Sequence, residues 1–298
     1  SGETLCHQDI HLPVLWGPVS GDLYSYPGDP IVEVMINHNS WWWSEEFNRP
    51  LGNSALVTID PAATSYGPIY VPLGDSYFDA FTQSGLLNQD PNSFYGSMYY
   101  GEYNLPNTMG VIRDIGDAYG TVTVTAYDND GNLLQGAPNV DLYGNNSNEM
   151  GSLDTSGQFT RSMSVGYLDA WVDAVLNSRN GSGYLLTNAQ QVFLDINSPL
   201  TCRVSGIIYD VFGNPVVNGQ VNLYSVGNSQ FVSTASDGSF SFDAVSAGYV
   251  SVESYDNFYY SYTYYPLDNC RPDASGNTKE IFLELPMRND QFYYGGPI

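Results

Sequence analysis

The feature that most constrains this chain is an internal repeat covering roughly residues 120 to 285. Two segments, 120–143 and 202–224, align with almost no adjustment, and a Y-D-x-x-G signature recurs in them at an offset of 82 residues. Each copy closes on a similar apolar run, Gln191–Ile196 in the first and Glu280–Leu285 in the second. A repeat of about 80 residues is too long for a solenoid. We therefore expect each copy to fold as a separate small domain.

Short alternating runs within each copy predict strands. Examples are Val122–Val124 and Ser239–Phe242, and turn signals such as Asp130-Gly131 and Asp237-Gly238 separate such runs. Alternation gives a strand one buried face, and regularly spaced strands of this kind are typical of a β-sandwich. The 25 tyrosines and 13 phenylalanines also favour strands over helices.

A third, more diverged copy precedes these two. The segment 48–60 resembles the stretch around Asn214-Pro215, and Gly110–Ile115 resembles the closing run Gln191–Ile196. Between them, 41–47 and 89–106 read as long loops. The expected organisation is an N-terminal extended segment 1–28, a diverged β-sandwich 29–117, a β-sandwich 118–198, a β-sandwich 199–288 and a C-terminal tail 289–298.

Residues 204–252 resemble the carboxypeptidase regulatory-like domain, a transthyretin-like (Ig-like) β-sandwich. They keep nearly all of the pattern G-x-V-x-D-x-x-G-x-P-V-x-G-x-x-V, then T-x-x-D-G-x-F-x-F-x-x-V-x-x-G-Y-x-V. Residues 122–172 keep a weaker version, and only fragments occur before 117. In this pattern Gly213 and Gly238 allow positive φ, while Phe240 and Phe242 face a core. The resemblance implies an all-β chain of three tandem domains of this type, and it implies no function.

The charge balance excludes several partners. The net charge of −24 comes from 32 acidic residues against 8 basic ones, and Lys279 is the only lysine. Nucleic acids and anionic membrane surfaces are bound by clustered bases, which this chain lacks. No stretch approaches the roughly 18 to 20 apolar residues that span a bilayer. The sparse bases and neutral polar residues favour an extracellular or cell-surface location.

No catalytic constellation stands out, so the sequence predicts no enzyme, no catalytic residue and no cofactor-binding residue. The only histidines are His7, His11 and His38, too few and too scattered for a catalytic triad. The paired acids Glu45 and Glu46 would point to opposite faces of a strand, unlike the carboxylates of a glycosidase.

A weak calcium signal lies in the segment Tyr127-Asp128-Asn129-Asp130-Gly131. Alternate oxygens of Asp128 and Asp130 followed by glycine could wrap a hard cation. The later bidentate glutamate of a full calcium loop is missing, and the same letters describe a hairpin turn. Calcium is therefore an alternative to a purely structural turn.

Two kinds of residue suggest contact with carbohydrate. Trp41, Trp42 and Trp43 could stack on a surface glycan, or they could pack in the core and at an interface. The N-x-[ST] sequons at Asn145 and Asn180 fall in expected loops, where an attached glycan could be accommodated.

The three cysteines fit disulfide use better than a metal cluster. Cys202 and Cys270 bracket the last domain, where the first and last strands can be neighbours, so we expect a disulfide between them. Its loop of about 70 residues could contribute roughly 4 kcal/mol. Cys6 is left over, which suggests a bond to another chain or a free thiol.

The N-terminal segment carries the functional hypothesis. Ile10, Leu12, Val14 and Trp16 alternate with other residues ahead of the first domain. Such a segment is either the first strand of that domain or a donor strand for a neighbouring subunit. The tail 289–298 is a second candidate for an intersubunit contact.

These features together favour a structural subunit of an extracellular filament or surface appendage that polymerises with itself through an exchanged terminal strand. The alternative is a carbohydrate-binding adhesin or an accessory stalk region of a surface protein, with the tryptophans and residues 95–103 as its contact surface. An enzyme comes third, because the sequence offers no reaction.

Overall fold

All regular secondary structure in the described residues is β-strand. The computed structural model describes residues 16–38, 43–44, 49–50, 54–72, 74–84, 103–105, 109–136, 138–144, 147–174, 177–210, 213–225, 228–256, 259–286 and 288–289. Within these ranges no helix occurs, and therefore none that could cross a bilayer. The predicted all-β fold is confirmed.

The strands form three successive units in which the same seven positions, A to G, recur in chain order. In each unit a sheet of order D-A-G has A antiparallel to D and parallel to G, and a second, antiparallel sheet has the order C-B-E-F.

Unit 1 contains a split strand G and a short extra pair between B and C. Its strands A to G are β1 (Trp16–Tyr24), β2 (Ile31–His38), β5 (Ser54–Thr58), β6 (Ser65–Pro72), β7 (Gly74–Thr82), β8 (Tyr103–Leu105), and β9 (Val111–Ile112) with β10 (Ile115–Gly116). The extra pair is β3 (Trp43–Ser44) and β4 (Arg49–Pro50).

Units 2 and 3 follow the same order with longer strands. In unit 2 they are β11 (Tyr119–Ala126), β12 (Asn139–Gly144), β13 (Asn148–Ser152), β14 (Gln158–Ser164), β15 (Gly166–Ala174), β16 (Asn177–Leu185) and β17 (Gln191–Ile196). In unit 3 they are β18 (Thr201–Tyr209), β19 (Gln220–Ser225), β20 (Asn228–Ser233), β21 (Ser239–Ser246), β22 (Gly248–Asp256), β23 (Tyr259–Leu267) and β24 (Glu280–Pro286). A last strand, β25 (Arg288–Asn289), pairs with β23.

Alternation along the strands explains the sandwich. β12 and β19 show the same order of exposed and buried residues, and each buries a valine and a leucine, Val140 and Leu142 in one and Val221 and Leu223 in the other. A period of two places these side chains on one face, where burial from water stabilises the pairing of the two sheets.

The buried apolar residues form two clusters. One runs through units 1 and 2 without a break. It includes Ile115 and Ala118, on either side of Gly116 and Asp117 between the two units, and Leu185 of strand F in unit 2. The other belongs to unit 3 alone and includes Phe240 and Phe242. Their burial agrees with the inward orientation that the sequence pattern predicts.

The expected boundary after residue 28 is wrong. Trp16–Tyr24 forms β1, the central strand of the first sheet, with Trp16 opposite Pro72 and Leu23 opposite Ile115. Its alternation buries Val19 and Leu23 in unit 1 itself. Trp16 is therefore part of the first strand, and the donor residues Ile10, Leu12 and Val14 lie outside the described residues.

Candidate functional site

The structure brings the G strands of units 1 and 2 against the loop that follows strand F of the next unit. Between units 1 and 2, the amide of Asp114 donates a 2.7 Å hydrogen bond to the carbonyl of Leu186, the first residue after β16. The Asp114 carboxylate accepts a 2.7 Å bond from the amide of Asn188 and a 3.0 Å bond from the amide of Asp22. One aspartate thus fastens its own first strand and the following unit.

The junction between units 2 and 3 repeats this arrangement. The amide of Asp195 donates a 2.9 Å hydrogen bond to the carbonyl of Asp268, the first residue after β23. Its carboxylate accepts bonds from Arg271 Nε at 2.7 Å and Nη2 at 2.6 Å, and the hydroxyl of Thr125 also donates to it. Asp195 lies within strand G, whereas Asp114 lies in the break between the two halves of the unit 1 strand G, and in both junctions donors come from the loop after strand F of the next unit.

The two aspartates hold equivalent positions by register. The residue after each acid is apolar and pairs with strand A, Ile115 with Leu23 and Ile196 with Ala126. A buried carboxylate is tolerated only where hydrogen bonds and opposite charge compensate its lost hydration. Asp114 and Asp195 are 4% and 2% exposed, and their donors supply that compensation.

Arg271 is the cation of the second junction. Its guanidinium carbon lies 4.1 Å from the centroid of the Phe193 ring, in a cation–π contact. The hydrogen bonds to Asp195 hold the pKa of Arg271 above its ordinary value. Nearby, Asn269 Nδ2 donates to the Phe193 carbonyl at 3.2 Å, and Lys279 Nζ lies 2.6 Å from Asp268 Oδ1. Two of the chain's 8 basic residues are therefore used where two units meet.

Sequence patterns alone did not predict these junctions. The signal was present in the aligned closing runs V-I-R-D-I, V-F-L-D-I and I-F-L-E-L, each with an acid at the fourth place. An acid recurring inside an apolar strand requires a partner, and the rare bases Arg271 and Lys279 in one loop point to it.

Cys202 and Cys270 are neighbouring buried thiols. Their sulfur atoms lie 3.5 Å and 3.3 Å from the same acceptor, the carbonyl oxygen of Val245. The close approach of the two thiols lowers the pKa of Cys202 and raises that of Cys270. The pairing that the sequence suggests is thus close in space, and the disulfide itself stays a prediction. Cys6 lies outside the described residues.

Asp128 and Asp130 belong to a hairpin turn. Asp128 Oδ1 accepts hydrogen bonds from the amides of Asp130 at 2.9 Å and Asn132 at 2.8 Å, and Oδ2 accepts one from Asn132 Nδ2 at 3.1 Å. These bonds lower the pKa of Asp128. The described ranges contain no group of three or more histidine, cysteine, aspartate or glutamate side chains that could hold a metal ion. In the structure this segment is a hairpin turn whose hydrogen bonds use the Asp128 carboxylate.

The same turn recurs through units 2 and 3. Its sequence is D-x-x-G-[NQ], and the fourth residue is a glycine with φ between 77° and 83° that donates its amide to the carbonyl of the first residue. The four copies begin at Asp128, Asp154, Asp210 and Asp273. Only glycine adopts this φ at low cost, which explains the recurring spacing.

Most of the other predicted contact residues fall outside the described part. Those residues are Trp41, Trp42, Asn145, 95–102 and 290–298. Tyr103, the last residue of the predicted contact stretch, lies in β8 opposite Ser76. Trp43 lies in β3 opposite Pro50, and Asn289 lies in β25 opposite Tyr259. The expected loop at Asn180 is wrong, because Asn180 is in β16 opposite Trp171. A glycan on Asn180 stays a prediction, now for a strand.

A half-buried acid, Asp169, lies in strand E of unit 2. Asp169 Oδ2 accepts a 2.8 Å hydrogen bond from Trp171 Nε1, while its buried Oδ1 has no hydrogen-bond partner. Burial raises the pKa of Asp169 above its ordinary value. Opposite it on β16, the buried hydroxyl of Ser182 also lacks a partner.

Comparison with known proteins gives no family. No family model and no curated protein matches the chain. Among solved structures it is similar to the Bacillus anthracis TIE protein, with 12% identity over 92% of this chain and 51% of that chain and a TM-score of 0.27. It is also similar to the shaft pilin SpaA from Lactobacillus rhamnosus GG, with 11% identity, 58% and 99% coverage and a TM-score of 0.22.

A third similar structure is the pilus adhesin SpaC from Lactobacillus rhamnosus GG in its open conformation. The identity is 10%, the coverage is 95% of this chain and 44% of that chain, and the TM-score is 0.23. This chain spans about half the length of the TIE protein chain, with 51% of it covered. At these identities and TM-scores the likenesses carry no argument about function, which has to be inferred from strand order and contacts.

Proposed function

We propose that this chain is a structural subunit of an extracellular filament or surface appendage that assembles with copies of itself. The observation that carries the proposal is the repeated junction, in which a G-strand aspartate fastens the next unit at Leu186 and again at Asp268. A junction that recurs along one chain is a device for extending a molecule unit by unit. The hydrogen bonds of the two junctions bind one sandwich to the next.

The terminal strand exchange is the finer part of this proposal. β1 has partners on both sides within unit 1, so Trp16 is not available as a donor. The donor segment is then the alternating stretch with Ile10, Leu12 and Val14, which would pair with a sheet edge of a neighbouring copy. We further propose that Cys6 links copies covalently and that the units belong to the carboxypeptidase regulatory-like family.

The proposal is tested with the full chain and a variant in which Ile10, Leu12 and Val14 are replaced by serine. Negative-stain electron microscopy over a series of protein concentrations should show filaments for the parent chain and dispersed particles for the variant. A matched control replaces the exposed residues Met150, Phe231 and Val217 by serine and should assemble like the parent. Dispersed particles from the parent chain at every concentration would contradict the proposal.

The carbohydrate-binding alternative remains a prediction that depends on residues outside the described part, chiefly Trp41 and Trp42. A glycan array separates it from the filament proposal. Saturable binding that disappears when Trp41, Trp42 and Trp43 are replaced by alanine supports the alternative. Binding that does not depend on the tryptophans argues against it.

A further inference from the structure

The second sheet of unit 3 has an open edge at β20. Its strand order is β20-β19-β22-β23-β25, and at the far edge β25 pairs with Tyr259 and Tyr260 of β23. Among the described strands β20 (Asn228–Ser233) pairs with β19 alone, and their register contains no bulge. An edge strand presents a row of backbone amides and carbonyls to which a further strand can be added.

The hydrogen bonds beside β20 show which of its backbone groups face outward. The Thr234 amide donates a 2.9 Å bond to the carbonyl of Gly219, so these two opposite residues form a hydrogen-bonded pair. Bonded and non-bonded pairs alternate along an antiparallel ladder. Every second residue counted back from Thr234 therefore bonds to β19. The residues between them, Ser229, Phe231 and Ser233, turn their amides and carbonyls to the open edge.

β20 lacks the features that protect edge strands from pairing. Its sequence, N-S-Q-F-V-S, contains no proline and no charged residue. The outer strands of the other sheet of unit 3 do carry charge, Asp243 in β21 and Glu280 and Glu284 in β24. In a chain of net charge −24, like-charge repulsion between two copies is smallest where neither surface is charged. The edge of β20 meets this condition.

An exposed aromatic ring lies at the centre of this edge. Phe231 is 77% exposed, and Tyr224 of β19 is 45% exposed. Tyr224 lies opposite Ser229, two residues from Phe231, so the two rings share the outer face of the sheet. Such diagonal neighbours are within reach of each other and of a ring on an added strand. A strand that pairs with β20 would therefore also cover apolar surface.

The edge is self-complementary. Ser229 and Ser233 lie two residues on either side of Phe231, and all three face outward. A two-fold axis between antiparallel strands requires this symmetry, because each contact is made twice. With Phe231 opposite Phe231 of a second copy, Ser229 lies opposite Ser233 on both sides of the axis. Each of these pairs can then exchange both of its backbone hydrogen bonds.

We infer that β20 pairs antiparallel with β20 of a second copy of this chain, about a two-fold axis at Phe231. The C-B-E-F sheets of the two copies then form one continuous sheet, and the two Phe231 rings pack side by side on its outer face. This contact goes beyond the proposed end-to-end assembly and uses no residue of the donor segment. Filaments should therefore still form when Phe231 is replaced.

Cysteine crosslinking in the full chain tests the register. In a Cys6→Ser background, Phe231→Cys should give disulfide-linked dimers under oxidised glutathione, because opposite Cα atoms lie about 5.5 Å apart, within the span of a disulfide. Ser229→Cys alone should give none, since the two copies of residue 229 are more than about 13 Å apart. A mixture of Ser229→Cys and Ser233→Cys chains should crosslink. Equal yields from Phe231→Cys and Ser229→Cys alone would contradict the pairing.

Matched proline variants give a second readout. Serine at Ile10, Leu12 and Val14 removes the donor segment, and analytical ultracentrifugation then measures the Kd of the dimer. Phe231→Pro removes the exposed ring and an amide that does not bond to β19. It should raise the Kd at least about tenfold, because the two-fold axis doubles each lost hydrogen bond. Met150→Pro makes the same change at the equivalent, 75% exposed position of β13 and should leave the Kd unchanged.

Thermal melting confirms that both proline variants are folded, and the crosslinks decide if one is not. Dimers that depend on Met150 and not on Phe231 would move the contact to β13 and overturn the inference. Association through Phe231 only when the donor segment is intact would assign this edge to that segment, with the same consequence. Monomers at every concentration in the serine background overturn the pairing and leave the filament proposal untouched.

Discussion

At the scale of single residues, the Asp195 carboxylate holds the second junction through Arg271 and Thr125. Replacing Asp195 by alanine should destabilise unit 3 relative to the parent by about 2–3 kcal/mol, because bonds to a charged partner in a buried site are lost. Asp243→Ala breaks an exposed ion pair with Arg203 and should cost under about 0.5 kcal/mol. Chemical denaturation monitored by fluorescence measures both, and equal losses would refute the role of Asp195.

Asp169 gives a residue-scale prediction in pH. Its pKa is raised by burial, so the ionised form is disfavoured in the folded state, and stability is lost as the pH rises from the unfolded pKa towards the folded one. Asp169→Asn removes the charge and retains an acceptor for Trp171. The variant should melt above the parent at pH 7, and the difference should vanish near pH 3, where Asp169 is protonated. A higher melting temperature for the parent at pH 7 would contradict this.

At the scale of turns and strands, two glycines with positive φ distinguish two costs of a substitution by alanine. One is the backbone strain of a positive φ, and the other is the steric clash of the added Cβ. Gly157 has φ of 77°, and a Cβ there would lie 2.7 Å from both Leu133 and the Leu134 carbonyl oxygen. Gly136 has φ of 82° and nothing within 4 Å of such an atom. Gly136→Ala should cost about 1 kcal/mol from φ alone. Gly157→Ala should cost about 2–4 kcal/mol, because it also overpacks the turn. Denaturation midpoints compare them, and equal costs would show that the turn relaxes.

The contact between β18 and the loop after β23 predicts a disulfide. In a Cys6→Ser background, oxidised glutathione takes two electrons and two protons from the Cys202 and Cys270 thiols, which form one S–S bond and leave two reduced glutathione molecules. The intact mass should fall by two hydrogen atoms, and closing a loop of about 70 residues should stabilise unit 3 by about 4 kcal/mol. A persistent glutathione adduct on either cysteine, without the mass loss, would exclude the pairing.

Strands and turns were the part of the fold most open to prediction from sequence. Runs such as Val122–Val124 alternate because one face is buried, and the strand class follows from that period. The D-x-x-G-[NQ] turns could also be predicted, because the spacing between aspartate and glycine recurs. A calcium-binding loop begins with a similar motif, so the sequence alone left both readings open. The boundary at 28 failed because the alternation of Ile10, Leu12, Val14 and Trp16 does not show where the first strand of the domain begins. Only the pairing of Trp16–Tyr24 with β6 and β10 shows that this strand belongs to unit 1.

At the scale of the whole molecule, the chain is a series of similar units joined by one type of contact. The aligned repeat predicted the series, but it did not predict the contacts, because a junction pairs residues some 75 positions apart, such as Asp195 with Arg271. The net charge of −24 also bears on assembly. The chain has only 8 basic residues, and two of them, Arg271 and Lys279, form ion pairs at the second junction. Assembly should accordingly depend on backbone hydrogen bonds and apolar contacts more than on surface ion pairs.

The spacing of sandwich densities along the filament in a cryo-electron microscopy map tests the central claim most directly. If the junction between subunits repeats the junction inside them, the rise and rotation from unit 3 to the next unit 1 should match those from unit 2 to unit 3. An uninterrupted series of evenly spaced densities is the predicted result. A different rise or rotation at every third step, or the absence of filaments, would contradict the account.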